Sequence, residues 1–286
     1  MTAYHDHFIR VPDGLCLHVR EYGAGKSGIP VVCLPGLTRN LLDFEDLALI
    51  LAAGPSLRRV LSISSRGRGL SDRDSDPTRY TIPVEAADVV AVLDHLGIEQ
   101  AAFIGTSRGG LILHVLAMTH LPRIERVVLN DIGPVLELEG LQQIQAYLGG
   151  RSAPESFAVA AALLRAVHGE EFPALADEDW RGMARALFRE ANSRVEADYD
   201  AEIARQFRAA DLSQPFPTLW AQFDLLAETP LMVIRGENSR LLSRETVDEM
   251  QHRKPDLVAI EAEGQGHAPL LHLATLPEAI RVFLQA

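Results

Sequence analysis

The chain has 286 residues, 47% of them hydrophobic and 23% charged, which is enough apolar material for a sizeable core and an ordinary globular balance. Its 39 acidic and 27 basic side chains leave a net charge of −12, which argues against a nucleic-acid partner, since phosphate binding needs a basic patch.

In chain order, "HFIRVPDGLCLHVREYG" reads as two strands joined by a turn at Asp13-Gly14. "IPVVCLPG" is a short apolar strand ending at Pro35-Gly36, and "RRVLSISSRGRG" a strand ending in a glycine-rich loop. "PVEAADVVAVLDHLGI" has helical spacing and stops near Gly97. "QAAFIG" is a strand, "GGLILHVLAMTHL" a helix, "IERVVLND" and "PLMVIRGE" two further strands, "LVAIEAEG" a last strand and "LPEAIRVFLQA" a closing helix. Continuous apolar strands alternating with helices predict an α/β fold with a mostly parallel, doubly wound sheet covered on both faces. One stretch breaks the alternation. From Val135 to Thr229 the connection far exceeds the usual ~4–6 residues. Within it, "ESFAVAAALLRAVHG" and "DEDWRGMARALFREA" have helical periodicity. The expected organisation is therefore a core of residues 1–134 and 230–286 with a helical cap at 135–229, lying over one edge of the sheet. Ligands of such sheets bind outside the carboxyl ends of the strands, and the cap would roof that crevice.

Cys16 and Cys33 lie in apolar runs and read as buried free thiols. The N-terminus lacks a signal-peptide pattern, and no apolar run approaches the ~18 residues of a membrane span, so a cytoplasmic protein without a membrane partner is expected.

The chemistry centres on "FIGTSRGGLI", where Gly105-Thr106-Ser107-Arg108-Gly109 fits G-x-S-x-G between a strand and a helix. A serine hydroxyl attacks a carbonyl only when a base takes its proton and donors receive the oxyanion. A sharp strand-to-helix turn exposes the hydroxyl, aims helix N-terminal N–H groups at the same point, and demands small residues two before and two after. Gly105 and Gly109 meet that demand, and Gly110 is expected to add slack. The plainer reading, Ser107 as a helix N-cap, explains the serine but not the glycines. In "LPGLTRN", Gly36 lets the backbone bend so that the Leu37 N–H, with that of Arg108, forms an oxyanion hole; the bland reading is an ordinary strand-to-loop turn. His267, in the glycine-flanked loop "GQGHAPLL", has the order and setting of a base, whereas His5, His7, His114, His120 and His272 read as surface or packing residues. "GTSRGG" lacks the lysine of a phosphate loop, and no Cys/His/carboxylate cluster has ligand spacing, so neither cofactor nor metal is expected.

The opening hairpin, "LPG", "SRGRGLSD", "GTSRG", "VVLNDIGP", "RGENSRLLS" and "GQGHAP" follow one another in an order that resembles the α/β-hydrolase superfamily over essentially the whole chain. The resemblance implies Ser107 as nucleophile, His267 as base, and Leu37 and Arg108 as backbone oxyanion donors. It also implies that Arg66, Gly67 and Gly69 shape the loop after the fourth strand without direct chemistry. The chain departs from the pattern in two places. Many relatives have His-Gly where this chain has Pro35-Gly36. The family's acid usually follows the penultimate strand, where this chain has Ser239 and Arg240 with only Glu237 nearby; some members place it one strand earlier, where Asp131 stands. Asp131 is the expected acid and Glu237 the alternative, with a Ser107–His267 dyad as the third case. The competing roles are an ion pair with Arg108 or capping of the insertion for Asp131, and a solvated loop carboxylate for Glu237.

The expected function is hydrolysis of a small, partly hydrophobic ester or lactone through a Ser-His-acid triad and an acyl-enzyme. The alternatives are carbon–carbon bond hydrolysis of a diketone-like substrate and non-catalytic ligand binding. Dehalogenase and epoxide-hydrolase chemistry is disfavoured, because those relatives need an aspartate where Ser107 stands. The expected partner is a small-molecule substrate, and homodimerisation is left open. Sequence does not decide which of Trp180, Phe188, Trp220 and Phe223 line a pocket.

Overall fold

The turn at Asp13-Gly14 joins strands β1 (Tyr4–Arg10) and β2 (Cys16–Tyr22): Gly14 takes φ +96°, and Asp13 Oδ1 accepts the Leu15 N–H at 3.1 Å. The structure, a computed structural model, describes residues 4–53, 58–148, 154–191, 194–214 and 216–285. After the hairpin come β3 (Val31–Leu34), α1 (Glu45–Ala52), β4 (Val60–Ile63), α2 (Ile82–His95), β5 (Ala101–Thr106), α3 (Arg108–His120) and β6 (Ile124–Asn130). Residues 135–229 then contain α4 (Leu138–Tyr147), α5 (Phe157–His168), α6 (Asp177–Leu187), β7 (Phe188–Ala191), β8 (Arg194–Ala197), α7 (Ala201–Ala209) and α8 (Trp220–Asp224). The chain closes with β9 (Leu231–Gly236), α9 (Arg244–Arg253), β10 (Val258–Ala262) and α10 (Leu276–Gln285). Among these helices, none is long and apolar enough to cross a membrane.

The eight-stranded sheet has the order β1-β2-β4-β3-β5-β6-β9-β10, parallel from β4 to β10 and antiparallel at the opening hairpin. Its inner strands β3, β4 and β5 are buried and mainly apolar because both faces are covered, whereas β1 and β10 at the edges are largely exposed. Val32 and Leu34 pack with Val89 and Val92 of α2 and Ile112 and Leu116 of α3. Their neighbours Val31 and Cys33 point the other way, to Leu47 and Leu51 of α1 and Ile280 and Phe283 of α10. Both cysteines are free, as expected; Cys33 is buried, which pushes its thiol up to about 12, while Cys16 is only half-buried.

Residues 135–229 join β6 to β9, which are hydrogen-bonded neighbours inside the sheet, in register from Val127–Leu231 to Asn130–Ile234. One expectation needs correction: the helical pattern read through "DEDWRGMARALFREA" stops early. Trp180, Met183 and Ala184 form the buried face of α6, but Phe188 turns to φ −123° and ψ 154° and opens a strand whose Arg189 pairs with the cross-strand Glu196 at 2.6 Å. The segment has its own small core of Ala160, Phe172, Leu175, Trp180 and Met183.

Candidate active site

Ser107 stands between β5 and α3 at φ +50° and ψ −113°, a conformation that costs a non-glycine residue of order 1–3 kcal/mol and needs its surroundings to hold it. Those surroundings explain the glycines. A methyl on Gly105 would come within 2.7 Å of the Gly109 carbonyl carbon, and one on Gly109 within 2.0 Å of the Leu34 carbonyl oxygen. Gly110 does not supply slack as expected: a methyl there would lie 2.3 Å from Ile132 Cγ2, so this glycine is needed for tight packing of helix on strand.

The Ser107 hydroxyl donates to His267 Nε2 at 2.9 Å, and His267 Nδ1–H donates to Asp131 Oδ2 at 2.8 Å. The carboxylate on one side and the hydroxyl on the other select this tautomer. Asp131 is fully buried, at φ +53°, directly after β6. Its Oδ1 accepts the Gly236 N–H at 2.7 Å, and its Oδ2 also accepts the Ser239 hydroxyl at 2.6 Å. Ser239 Oγ in turn accepts the N–H groups of Leu241 and Leu242, each at 3.2 Å, which leaves the hydroxyl proton for Asp131. Ser239, in the loop after β9, thus bonds the carboxylate one strand away, a partnership no linear pattern announces.

Glu237 is exposed and turned elsewhere: its Oε2 accepts the Gly264 N–H at 2.7 Å and braces the loop that carries His267. Arg108 does not claim Asp131 either. Its Nε and Nη2 donate to the buried Glu85 at 2.6 and 3.0 Å. Asn130, also missed in the sequence, donates from Nδ2 to Thr106 Oγ1 and to the Pro269 carbonyl, each at 3.0 Å, tying β5 to the His267 loop.

Leu37 and Arg108 both face the cavity that contains Ser107, and a methyl on Gly36 would lie 3.8 Å from Ser107 Cβ, so the loop after β3 passes beside the serine. The two backbone positions share a support that sequence reading did not find. Arg68 Nε donates to the Leu37 carbonyl at 2.8 Å, and Arg68 Nη1 donates to Glu85 at 2.7 Å. Glu85 therefore joins the loop of Leu37 to the side chain of Arg108. Burial raises the Glu85 carboxyl pKa, but the charges and hydrogen bonds of Arg68 and Arg108 outweigh it and hold the group below its ordinary 4.5. Arg66 has the structural part expected of it, gripping Asp88 through two bonds of 2.7 and 2.6 Å and Asp74 through one of 2.6 Å, while Gly67 and Gly69 take φ +73° and +56°.

The cavity, about 540 Å³, lies between these residues and the 135–229 segment. Of the four aromatics left open by the sequence, Phe188 lines it; Trp180 is buried against Phe172, and Trp220 packs on Phe223 and under Arg253.

Comparison with known proteins agrees with this architecture. Residues 29–271 match the family model described as alpha/beta hydrolase fold. The chain is similar to a 3-hydroxybutyrate-oligomer hydrolase of Cupriavidus necator, 32% identical over 87% of this chain and 86% of that one. It is also similar to the esterase YbfF of Escherichia coli, 26% identical over 83% and 85%. A crystal structure of an alpha/beta hydrolase from Novosphingobium aromaticivorans superposes with a TM-score of 0.92 at 39% identity, covering 100% of this chain and 99% of that one. With a sheet of this order and a family match over most of its length, the chain belongs to the alpha/beta hydrolase fold family and is a hydrolase.

Proposed function

We propose that the protein is a serine hydrolase that opens a small, partly hydrophobic carboxylic ester or lactone through an acyl-enzyme. The observation that carries this reading is the unbroken relay from Ser107 Oγ through His267 to Asp131, with bonds of 2.9 and 2.8 Å. His267 Nε2 takes the hydroxyl proton as Ser107 Oγ attacks the carbonyl carbon, and Asp131 stabilises the imidazolium that forms. The oxyanion is received by the N–H groups of Leu37 and Arg108. Collapse of the tetrahedral intermediate expels the alcohol, which takes the proton from His267. Water, deprotonated by His267, then releases the acid from Ser107. Residues 135–229 act as the cap that encloses the substrate, and the mainly apolar cavity suits a short hydrocarbon chain.

The carboxylate beside His267 supports this reading over that of a ligand-binding protein with a defective acid. The test is labelling with a fluorophosphonate, which reacts with an activated serine. Wild type should label rapidly and hydrolyse a 4-nitrophenyl ester. Ser107→Ala should not label and should lose turnover by roughly 10⁴-fold or more. Ordinary turnover in that variant would overturn the mechanism.

A further inference from the structure

Arg39 follows the Leu37 loop, and its stem runs beside the nucleophile: a methyl on Gly36 would meet both Arg39 Cγ at 3.3 Å and Ser107 Cβ at 3.8 Å. Its Nε donates to Asp43 Oδ2 at 2.6 Å, a pair that fixes the plane of the guanidinium. Among the described residues, its two terminal nitrogens have no partner, and the side chain stays 21% accessible in the wall of the cavity. The second Asp43 oxygen, Oδ1, is buried without a hydrogen-bond partner among the described residues. Other charges lining the cavity are already engaged: Arg108 by Glu85, and Glu196 by Arg189.

Two further polar side chains line the same cavity. Tyr147 and His168 meet edge to face at 5.1 Å, and among the described residues neither the phenol oxygen nor the ring nitrogens have a hydrogen-bond partner. Tyr147 is 39% accessible and lines the cavity, and desolvation pushes its phenol up to about 12. Burial lowers the His168 pKa, Glu171 opposes this and Arg39 reinforces it, so the ring is neutral near pH 7. Arg39, Tyr147 and His168 all line this one cavity. Leu163, Leu164, Val167 and Leu187 make much of the remaining wall apolar. A guanidinium that meets Asp43 through Nε alone still offers both terminal nitrogens to the cavity, and that fork matches a carboxylate.

Resting on the ester-hydrolase reading above, we propose that Arg39 is the substrate's carboxylate anchor, with Tyr147 and His168 as neutral partners, so that the natural substrates are esters of short carboxylate-bearing chains. Two matched pairs test this: the mono-4-nitrophenyl ester of adipic acid against its methyl-capped diester, and 3-(butanoyloxy)butanoate against its methyl ester. Rates are normalised to fluorophosphonate-labelled sites, which counts only folded, competent protein. Wild type should favour the anion in at least one pair by about tenfold to a hundredfold in kcat/KM. Arg39→Gln should bring that ratio close to one, and Tyr147→Phe should lower it several-fold. Binding of adipate by calorimetry should weaken at least about tenfold in Arg39→Gln, a measurement independent of turnover. Absence of labelling with adipate binding intact would sink the ester-hydrolase reading alone. Normal labelling, with no preference for either anion or with equal losses on both members of each pair, would overturn the carboxylate anchor.

Discussion

The Asp131 carboxylate is fully enclosed, and a group so placed is tolerated only because three donors converge on it: the Gly236 N–H, the Ser239 hydroxyl and His267. The first two hold the carboxylate still, and the third uses that stillness to orient the imidazole. Replacing the acid by its amide keeps the volume but lets an N–H face Nδ1, which favours the wrong tautomer. Asp131→Asn should therefore lower kcat by about 10⁴-fold. Glu237→Gln should cost about tenfold or less, since an amide oxygen can still accept the Gly264 N–H that Glu237 now holds. Steady-state kinetics on a 4-nitrophenyl ester decide between them, and the reverse pattern would move the acid to Glu237.

Among the elements, α2 supports the site without lining its cavity. Its Glu85 is 1% exposed and links two separate loops, one through Arg68 to the Leu37 carbonyl and one through Arg108 beside Ser107. Removing its charge leaves two guanidinium groups without their counter-ion, one of them in the 1%-exposed Arg68. Breaking such a buried pair costs about 3–5 kcal/mol. Glu85→Gln should lower the midpoint of denaturant unfolding accordingly at pH 7, and lower kcat more than it raises KM, because the Leu37 loop, the proposed source of an oxyanion donor, loses its anchor. The pH dependence has a definite sign. The carboxyl pKa is depressed in the folded protein, so its contribution is complete above the ordinary value of 4.5 and is lost as pH falls through the lower folded value. Unfolding curves measured below pH 4.5 should converge for wild type and variant; a gap that stays constant would show that the charge is not what stabilises.

For the molecule as a whole, the question is how residues 135–229 are held over the strand ends. Asn40, buried in the loop before α1, donates from Nδ2 to the Ala186 carbonyl at 2.9 Å and to Asp198 Oδ2 at 3.0 Å, while its Oδ1 accepts the Leu42 N–H at 2.9 Å. The loop after β4 adds backbone bonds from Gly69 N–H to the Asp198 carbonyl at 2.9 Å and from Asp200 N–H to the Gly67 carbonyl at 2.7 Å. One amide thus fastens both the segment and the helical turn Leu41–Phe44 that leads into α1. Asn40→Leu should loosen the segment, seen as faster limited proteolysis within 135–229 and a KM raised by about tenfold, each polar bond being worth of order 1 kcal/mol. Unchanged proteolysis and KM would mean that the backbone bonds suffice.

Local pattern alone specified the strands and most of the helices of the sheet domain, because each repeats one physical demand: apolar strands for a sheet covered twice, and helical spacing for the layers that cover it. It also specified the serine turn, since Gly105 and Gly109 are forced by contacts between residues close in the chain or on the next strand. Ser107 and His267 could be picked out because each stands in a small-residue loop at a strand end, although the 2.9 Å bond between them spans 160 positions. Tertiary structure decided the remainder. Choosing between Asp131 and Glu237 depends on which of two strand ends faces His267, and that follows from β6 and β9 lying side by side. The parts played by Ser239, Glu85, Arg68 and Asn40 are contacts between distant segments, and a polar residue read alone looks the same whether it meets water or a buried partner. The hairpin β7–β8 was hidden for a related reason: "FREA" continues a helical pattern locally, and only the place of Phe188 in the cavity wall and the cross-strand pair to Glu196 make it a strand.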